Sequence, residues 1–324
     1  MKVAIALLNF NGKKHMETFL PGVIKYSEGA EVYVIDNGST DDSMAWLEKS
    51  HREVKIIRNA KNFGFAKGYN EGLKHVDAEV YVLLNSDVEV TENWISEIIR
   101  LFLSVQDVAV IQPKILDYHK REYFEYAGGA GGFLDNLGYP YCRGRIFDSV
   151  EKDTGQYDDA AEIFWASGCA FFVRSKVFWE HNGFDERYFA HQEEIDLCWR
   201  IINSGKKIYY THRSSVYHIG GGTLQKSNPK KTYLNIRNNL TTLLKNLPLG
   251  AVFYVLPLRL ILDGCTGIFL GLKYGPTHFL AVIRGHFGFY TLLPETLKKR
   301  AAKQTKNYYQ KKWLILKFLL GKLV

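Results

Sequence analysis

Carboxylates, amides and one histidine fall at places in this chain where they could handle an anion and an alcohol. Asp36-Asn37-Gly38-Ser39-Thr40-Asp41-Asp42 has a carboxylate followed by Gly and Ser. That is the pattern of a tight turn into a helix, able to receive the polar edge of a base; an ordinary capped helix has the same letters. Asn62-Phe63-Gly64-Phe65-Ala66-Lys67-Gly68-Tyr69-Asn70-Glu71-Gly72 is rich in small residues. Such a loop and helix N-terminus can approach a ligand closely, and the terminus favours anions. Leu83-Leu84-Asn85-Ser86-Asp87 puts an acid after an apolar run. This suits a divalent ion that also bridges a diphosphate, because Mg2+ takes one or two carboxylates plus substrate phosphates.

Two further segments add an acid cluster and a histidine. Glu193, Glu194 and Asp196 crowd the start of a predicted helix. Crowded like charges raise at least one pKa, and a carboxylate so placed could accept a proton from a hydroxyl. Compensation of the helix dipole is the structural alternative. Val216-Tyr217-His218 runs into Gly220-Gly221-Gly222-Thr223; with the acidic strand end, His218 would complete a metal site. There is no GxxxxGK[ST], and no GxGxxG follows the first apolar run. These absences count against a P-loop enzyme and a dinucleotide oxidoreductase.

The elements that must position these groups alternate. Apolar β-rich runs at residues 3–8, 31–36, 54–58 and 80–84 are separated by helical spacing at 13–26, 41–49 and 65–75, and 92–103 is helical again. Strands spaced by helices of this length predict an α/β fold with a mainly parallel sheet covered on both faces. Ligands of such sheets bind beyond the carboxyl ends of the strands, which is where Asn9, Asp36, Asn37 and Asp87 fall. Ser39 or Thr40 would cap the second helix. Residues 118–159 read as loops and short strands over the site, 166–173 as a strand, 193–204 as a helix and 209–218 as extended chain. Beyond residue 245 lies an apolar stretch, 247–272, interrupted by Pro248, Pro257, Arg259 and Asp263. The central charges argue for a helix in the membrane interface or a broken hairpin rather than a span; a buried soluble helical pair is the other reading.

The formal charge of +8 is concentrated in a tail. Residues 295–324 hold nine Lys/Arg and one Glu, leaving 33 basic and 33 acidic residues elsewhere. A basic surface throughout would point to nucleic acid, and that partner is not expected. A basic tail beside apolar segments points to anionic lipid, with a solvated tail as the bland alternative. The four cysteines are scattered with no CxxC, consistent with reduced thiols in the cytosol. The apolar N-terminus is too short for a signal peptide and reads as a buried strand.

Taken in order, Asp36-Asn37-x-Ser39, Asn62-x-Gly64, Asn85-Ser86-Asp87, Gly183-Phe184-Asp185-Glu186 and Glu193-Glu194-x-Asp196 resemble the family 2 glycosyltransferases, whose fold is called GT-A. The likeness covers residues 1 to about 245 and is greatest to bacterial rhamnosyltransferase-like members. It implies a catalytic domain at 1–245, and the apolar stretch and basic tail beyond it read as a helical membrane-associating region at 246–324. It implies an inverting transfer of a sugar from a nucleotide-diphosphate donor to a saccharide in cell-surface polysaccharide synthesis, and the apolar, basic C-terminus points to a lipid-linked (polyprenyl-linked) saccharide as acceptor. The enzyme would be cytoplasmic and peripheral on the inner face of the membrane.

The same resemblance distributes roles. Asp36 would contact the base. Asn9, Asn37, Asn62, Gly64, Asn70, Asn85 and Asp87 would line the donor side. Asp87 and His218 would hold Mg2+ or Mn2+, and Glu194, or its neighbour Glu193, would be the general base. Asp196, Arg200, Trp165 and His191 would lie on the acceptor side. Tyr188 could join the acceptor wall and Arg237 could reach the diphosphate, with core packing for Trp165 and a surface ion pair for Arg237 as alternatives. Asn85 replaces the first Asp of the family's Asp-x-Asp, which predicts weaker metal binding. Competing readings are a sugar-nucleotide pyrophosphorylase, which would want a Gly-rich Arg/Lys loop where Asn9-Phe10-Asn11-Gly12-Lys13-Lys14 stands, and a non-catalytic glycan- or lipid-binding scaffold.

Overall fold

The computed structural model describes residues 1–27, 29–220 and 227–319. The expected loop at Gly221-Gly222-Thr223 and the last five residues of the basic tail lie outside the described residues.

Along β1 (Val3–Asn9), Val3, Ile5 and Leu7 are buried in one apolar layer and Ala4 and Ala6 in the other. A strand covered on both faces needs this continuous apolar run. It sits between β2 (Glu31–Asp36) and β4 (Val80–Leu84), with β3 (Lys55–Arg58) outside β2, all parallel. Helices α1 (Lys13–Tyr26), α2 (Ser43–Ser50) and α3 (Gly64–Leu73) connect them. The register sets Asn9 opposite Asp36 at the carboxyl edge.

Beyond β4 the sheet becomes mixed. β12 (Ala170–Arg174) runs antiparallel between β4 and β6 (Val108–Asp117). β13 (Lys207–His218) is parallel to β6, while β5 (Val88–Val90) and β11 (Ala160–Ile163) are antiparallel to β13. α4 (Trp94–Ser104) joins β5 to β6; α5 (Ser175–Glu180) and α6 (Glu193–Asn203) join β12 to β13. The segment expected as loops and short strands folds largely into a small antiparallel sheet: β7 (Gly132–Leu134), β8 (Pro140–Cys142), β9 (Arg145–Ile146) and β10 (Ser149–Val150).

Several boundaries differ from the sequence reading. β6, a ten-residue central strand, carries Pro113 and Lys114, which disguise it because proline cannot donate to a ladder. The structure accommodates them with a register shift against β13, between Thr211 and Ser215, and with Asp153 and Asp158, 2.6 and 2.5 Å from Lys114 Nζ. β12 starts at Ala170, not 166, because Ala166 and Ser167 bond instead to Cys198 and Gln112. α2 is opened by Asp41, whose carboxylate accepts from Ser43, while the Ser39 hydroxyl bonds Asn9 and Asn11.

After β13 come α7 (Pro229–Asn246), α8 (Leu249–Tyr274), α9 (Pro276–Lys298) and α10 (Leu314–Leu319). α8 continues through Pro257 and reverses into α9 at Gly275, whose φ of 104° lies in the left-handed region that glycine tolerates. Arg259 and Asp263 are buried, at 3% and 1% exposure. Arg259 donates to the Leu137 carbonyl, lies 3.4 Å from Asp263 and stacks on Tyr139. The central charges of α8 therefore point into the protein. Its outward face carries Phe253, Ile261, Ile268, Phe269 and Leu272, all more than half exposed. By length and composition α8 is apolar enough to cross a bilayer.

The expected division at 245/246 falls at the end of α7, where Lys245 and Asn246 are both buried. The chain beyond it returns to the sheet. Arg300 donates to the Leu244 and Leu247 carbonyls, the Tyr308 hydroxyl to the Asn136 carbonyl, and the Leu314 amide to Asp135.

Candidate active site

Polar residues at the carboxyl ends of β1 and β2 are held by one another. The Asn9 amide donates to Ser39 and Ser43 and accepts from the Gly12 amide. Asn37 donates to Asn62 and to the Gly64 carbonyl, and accepts from Asn59 and Phe63. These amides shape the turn, and Asp36 at its base accepts from the Ser39 backbone. Asn70, expected on the donor side, instead donates to the Phe184 carbonyl and accepts the Phe184 amide; it fixes the segment before α6.

The N-terminus of α3 is not open to an anion as expected. The Phe189 carbonyl accepts from Phe65 and Ala66, and a Cβ on Gly64 would stand 2.5 Å from that oxygen. Gly64 has a φ of +81°, so both the turn and the close approach require glycine.

Asp87 and His218 meet because of strand pairing. Asp87 precedes β5, and β5 pairs with β13 so that Val88 lies opposite His218. His218 Nε2 is 3.2 Å from Asp87 Oδ1 and 3.4 Å from Asn85 Nδ2. Two neighbouring ligands of one ion, each roughly 2.1 Å from it, lie about 3 Å apart, so this pair fits a shared divalent ion. Among the described residues no cluster of three or more His, Cys, Asp or Glu forms a metal cage. On the other side of the ring, Glu125 Oε1 is 3.4 Å from Nδ1. Burial raises the Asp87 carboxyl, but His218 outweighs it and holds the pKa below the ordinary value. Burial likewise opposes charge on His218, yet Cys169, Glu125 and Asp87 lift its pKa well above the usual range.

The base candidates open α6 behind a strained approach. Phe189, His191 and Gln192 have φ of 64°, 70° and 73°, unusual for residues with side chains. Asn238 of α7 holds this segment, donating to the carbonyls of Tyr188, Ala190 and His191. Arg237 donates to those of Arg187 and Tyr188 and to Asn238. Arg237 is thus engaged within the protein, neither in a surface ion pair nor free for a diphosphate. Glu193 is buried while Glu194 is half-buried. Each has an Oε2 sealed from water with no hydrogen-bond partner among the described residues, as does His191 Nε2. Such orphaned groups cost on the order of 1–3 kcal/mol each and point to a space built for a polar ligand. Burial raises Glu194 to about 7; burial and the Glu194 charge also raise Glu193 well above the ordinary value. Burial and Lys231 lower His191 to about 4.

Other expected acceptor residues are structural. Trp165 is buried, donates to the Phe133 carbonyl and packs on Gly132. Tyr188 is buried with its hydroxyl 2.8 Å from Thr242. Asp196 accepts from Arg200, Lys245 and Asn246, and Arg200 also donates to the carbonyls of His181 and Gly183. These contacts rigidify α6 without presenting a group to a ligand. Lys245, Asn238, Asn246 and Glu125 were missed by the sequence reading. Lys245, set among leucines of an amphipathic helix, was open to suspicion; Glu125 carries no spacing signal.

The segment 166–169 links the strand end that carries Asn85 to α6. The Ala166 amide donates to Cys198, one turn beyond Glu194, and the Cys169 carbonyl accepts from Asn85. Three residues span at most on the order of 10 Å.

This mixed sheet, with its acidic strand end and carboxylate-led helix, is a nucleotide-sugar transferase scaffold of the GT-A type. The sequence profile of "Glycosyl transferase family 2" matches residues 5–181, more than half of the chain, and the chain belongs to that family. It is 23% identical over 212 residues to the low-salt glycan biosynthesis hexosyltransferase of Haloferax volcanii, covering 63% of this chain and 64% of that protein. It is 23% identical to the N-acetylglucosaminyl-diphospho-decaprenol L-rhamnosyltransferase of Mycobacterium tuberculosis, covering 66% and 75%. The match covers 40% of the pre-mycofactocin glycosyltransferase of the same organism, so the chain spans less than two thirds of several curated relatives. Among solved structures, the mannosyltransferase of Pyrobaculum calidifontis in complex with GDP-Man and Mn2+ aligns at TM-score 0.55 and 11% identity, covering 89% of this chain and 87% of that one. TarS 1–349 of S. aureus with UDP-GlcNAc aligns at 0.52 or below, with 14% identity and coverage of 94% and 93%.

Proposed function

We propose that this chain moves a sugar from a nucleoside-diphosphate donor to a hydroxyl of a lipid-linked saccharide, with inversion, on the cytoplasmic face of a membrane. The observation that carries the reading is the orphaned carboxylate oxygen of Glu194 at the start of α6, in a fold whose strand ends also bring Asp87 and His218 together, with segment 166–169 bonded to both elements.

Glu194 takes the proton from the acceptor hydroxyl as that oxygen attacks the anomeric carbon. Its raised pKa suits it to gain and release a proton near neutrality. Asp36 meets the base of the nucleotide. Asp87 and His218 would hold a divalent ion, and when bound such an ion offsets charge developing on the departing diphosphate. The two strand ends hold donor and acceptor in line, which supplies much of the remaining rate.

A rhamnose or other hexose donor is favoured by the names of the relatives, and a polyprenyl-linked acceptor by the mycobacterial one. The exposed apolar face of α8 and the basic residues beyond it support contact with an anionic membrane surface. A scaffold without catalysis gives no account of an unpartnered carboxylate, raised in pKa, beside a metal-type pair.

The deciding experiment is a panel of UDP-, GDP- and dTDP-sugars against lipid-linked saccharides, with and without Mg2+ or Mn2+, followed by product analysis. Sugar transfer with inverted configuration is expected. Retention of configuration, or nucleotide-sugar synthesis in place of transfer, overturns the reading.

A further inference from the structure

We infer that α8 and α9 lie flat in the interface of an anionic bilayer, as one in-plane hairpin, and that α8 does not cross it. The inference rests on the membrane contact read above and adds its geometry: which helices enter, how they lie and how deep.

α8 divides lengthwise. Ala251, Val255, Leu256, Arg259, Asp263 and Gly267 are buried, and at 3.6 residues per turn they share one half of the circumference. Phe253, Pro257, Ile261, Cys265, Ile268 and Leu272 occupy the other half and are exposed. No exposed residue of α8 from Leu249 to Leu272, all of them described, is charged. At 1.5 Å per residue this stripe is about 36 Å long. α9 doubles back beside it, and a Cβ on Gly267 or Gly271 would stand 3.2 Å from Val282 or 3.1 Å from Phe279. Phe279 is itself exposed and begins a second apolar stripe with Leu280, Ile283, Phe287 and Tyr290. The two stripes therefore adjoin at the seam.

The buried half decides the orientation. A helix that spans is apolar all round. α8 instead commits half its surface to protein, and its midpoint carries Arg259, bonded to the Leu137 carbonyl and stacked on Tyr139. Crossing would take Arg259, Asp263 and the chain joining β7 to β8 to the bilayer centre, where charges are costly. Lying flat, the helix sinks its outer half about 5–10 Å and keeps both charges within the protein.

The rim selects lipid over a second copy. The exposed charged residues of the two helices are Lys273, Arg284, Glu295 and Lys298, three of them cations. Tyr254, Tyr274 and Tyr290 are exposed among the apolar side chains, and tyrosine is enriched at membrane–water interfaces. Two copies paired through the same patch bring like charges together, whereas an anionic surface complements them.

Cys265 supplies the probe, since it is exposed while Cys142, Cys169 and Cys198 are buried. The full chain is labelled with bimane at Cys265, and at Phe253→Cys or Leu272→Cys in a Cys265→Ala background. Emission is read with phosphatidylglycerol-rich vesicles whose acyl chains carry bromine at shallow or deep positions. Positions 253 and 272 are about 28 Å apart along the helix. All three labels are expected at one depth, about 5–10 Å in, quenched most by shallow bromine. A deep label at 265 with shallow ones at 253 and 272 means a span; it overturns the inference and leaves membrane contact standing. Emission that shifts to the blue with protein concentration in the absence of lipid, and ignores bromine, puts a second copy on this face and overturns it too. No quenching and no such shift at any position overturns the membrane reading itself. If a variant does not fold, wild-type Cys265 answers alone: shallow quenching supports the flat hairpin, and quenching strongest near the bilayer centre, about 15 Å in, removes it.

Discussion

Lys299 Nζ, just past α9, lies 3.1 Å from Oδ1 of Asp185, ahead of α6. The other oxygen of Asp185 receives Lys245 at 2.7 Å, and Lys245 also reaches Asp196 at 2.9 Å. Residues on both sides of position 245 thus hold α6 and the segment before it through charges. Removing one partner of a buried ion pair costs about 3–5 kcal/mol, because it strands the other charge. Lys245→Met is therefore expected to lower unfolding stability by about that amount, and Lys299→Ala, half-exposed, by about 1 kcal/mol or less. Urea denaturation followed by circular dichroism checks both; equal effects would contradict the ranking. Deletion after residue 245 removes buried Leu247, Val255, Tyr308 and Leu314 and is expected to unfold the protein.

Glu194→Gln keeps shape and loses the base. Turnover should fall by about 10²- to 10⁴-fold, with donor affinity little changed, as read by steady-state kinetics and nucleotide-sugar binding. Glu193→Gln should cost far less. The reverse ranking would move the base to Glu193.

Stability and pH are linked with a definite sign. A carboxyl whose pKa is raised in the folded state contributes stability below its unfolded pKa and loses it as pH rises through the folded one. For Glu194 that window runs from about 4.5 to about 7. Glu194→Gln should therefore melt higher than wild type at pH 8 and nearly the same at pH 4. The wild-type rate should climb across neutrality as Glu194 deprotonates. A flat rate profile between pH 6 and 8 would detach Glu194 from the chemistry.

Asp185 and Asp196 have the opposite sign. Burial would raise them, but Arg187 and Lys245 around Asp185, and Arg200 and Lys245 around Asp196, hold both below the ordinary carboxylate range. Their stabilisation is present at neutral pH and lost in acid. The acid limb of a melting-temperature profile should flatten in Asp185→Asn once its lower baseline is subtracted.

Membrane contact is testable without truncation. Phe253 and Leu272, at 74% and 85% exposure, stand on the outward face of α8. Replacing both with Ser should weaken binding to vesicles rich in phosphatidylglycerol while leaving the melting temperature unchanged. Each buried CH2 is worth about 0.8 kcal/mol, so a measurable fall is expected. Unchanged sedimentation with vesicles would leave α8 without that role.

Periodicity and strand-end chemistry made much of the fold readable. Val-Ala-Ile-Ala-Leu-Leu needed only its own letters to become a doubly covered strand, and Asp36 and Asp87 declared themselves by ending apolar runs. β6 stayed hidden because Pro113 and Lys114 break its pattern, and only a neighbour with a shifted register could tolerate them. Asn70 looked like a donor-side group because its letter is polar near a motif, and Trp165 read equally as acceptor wall or core; the hydrogen-bond partners that hold each within the protein lie far along the chain.

The sequence by itself determined the alternation of strands and helices, the family motifs, and the residue types at each strand end, since these follow from local period and neighbouring letters. Only the tertiary structure decided which polar groups are satisfied within the protein and which stand unpartnered. It brought Glu125 behind His218, Phe189 onto Gly64 and Lys299 onto Asp185, and it turned the charges of α8 inward. Those outcomes depend on distances between segments more than 60 residues apart, which no local spacing encodes.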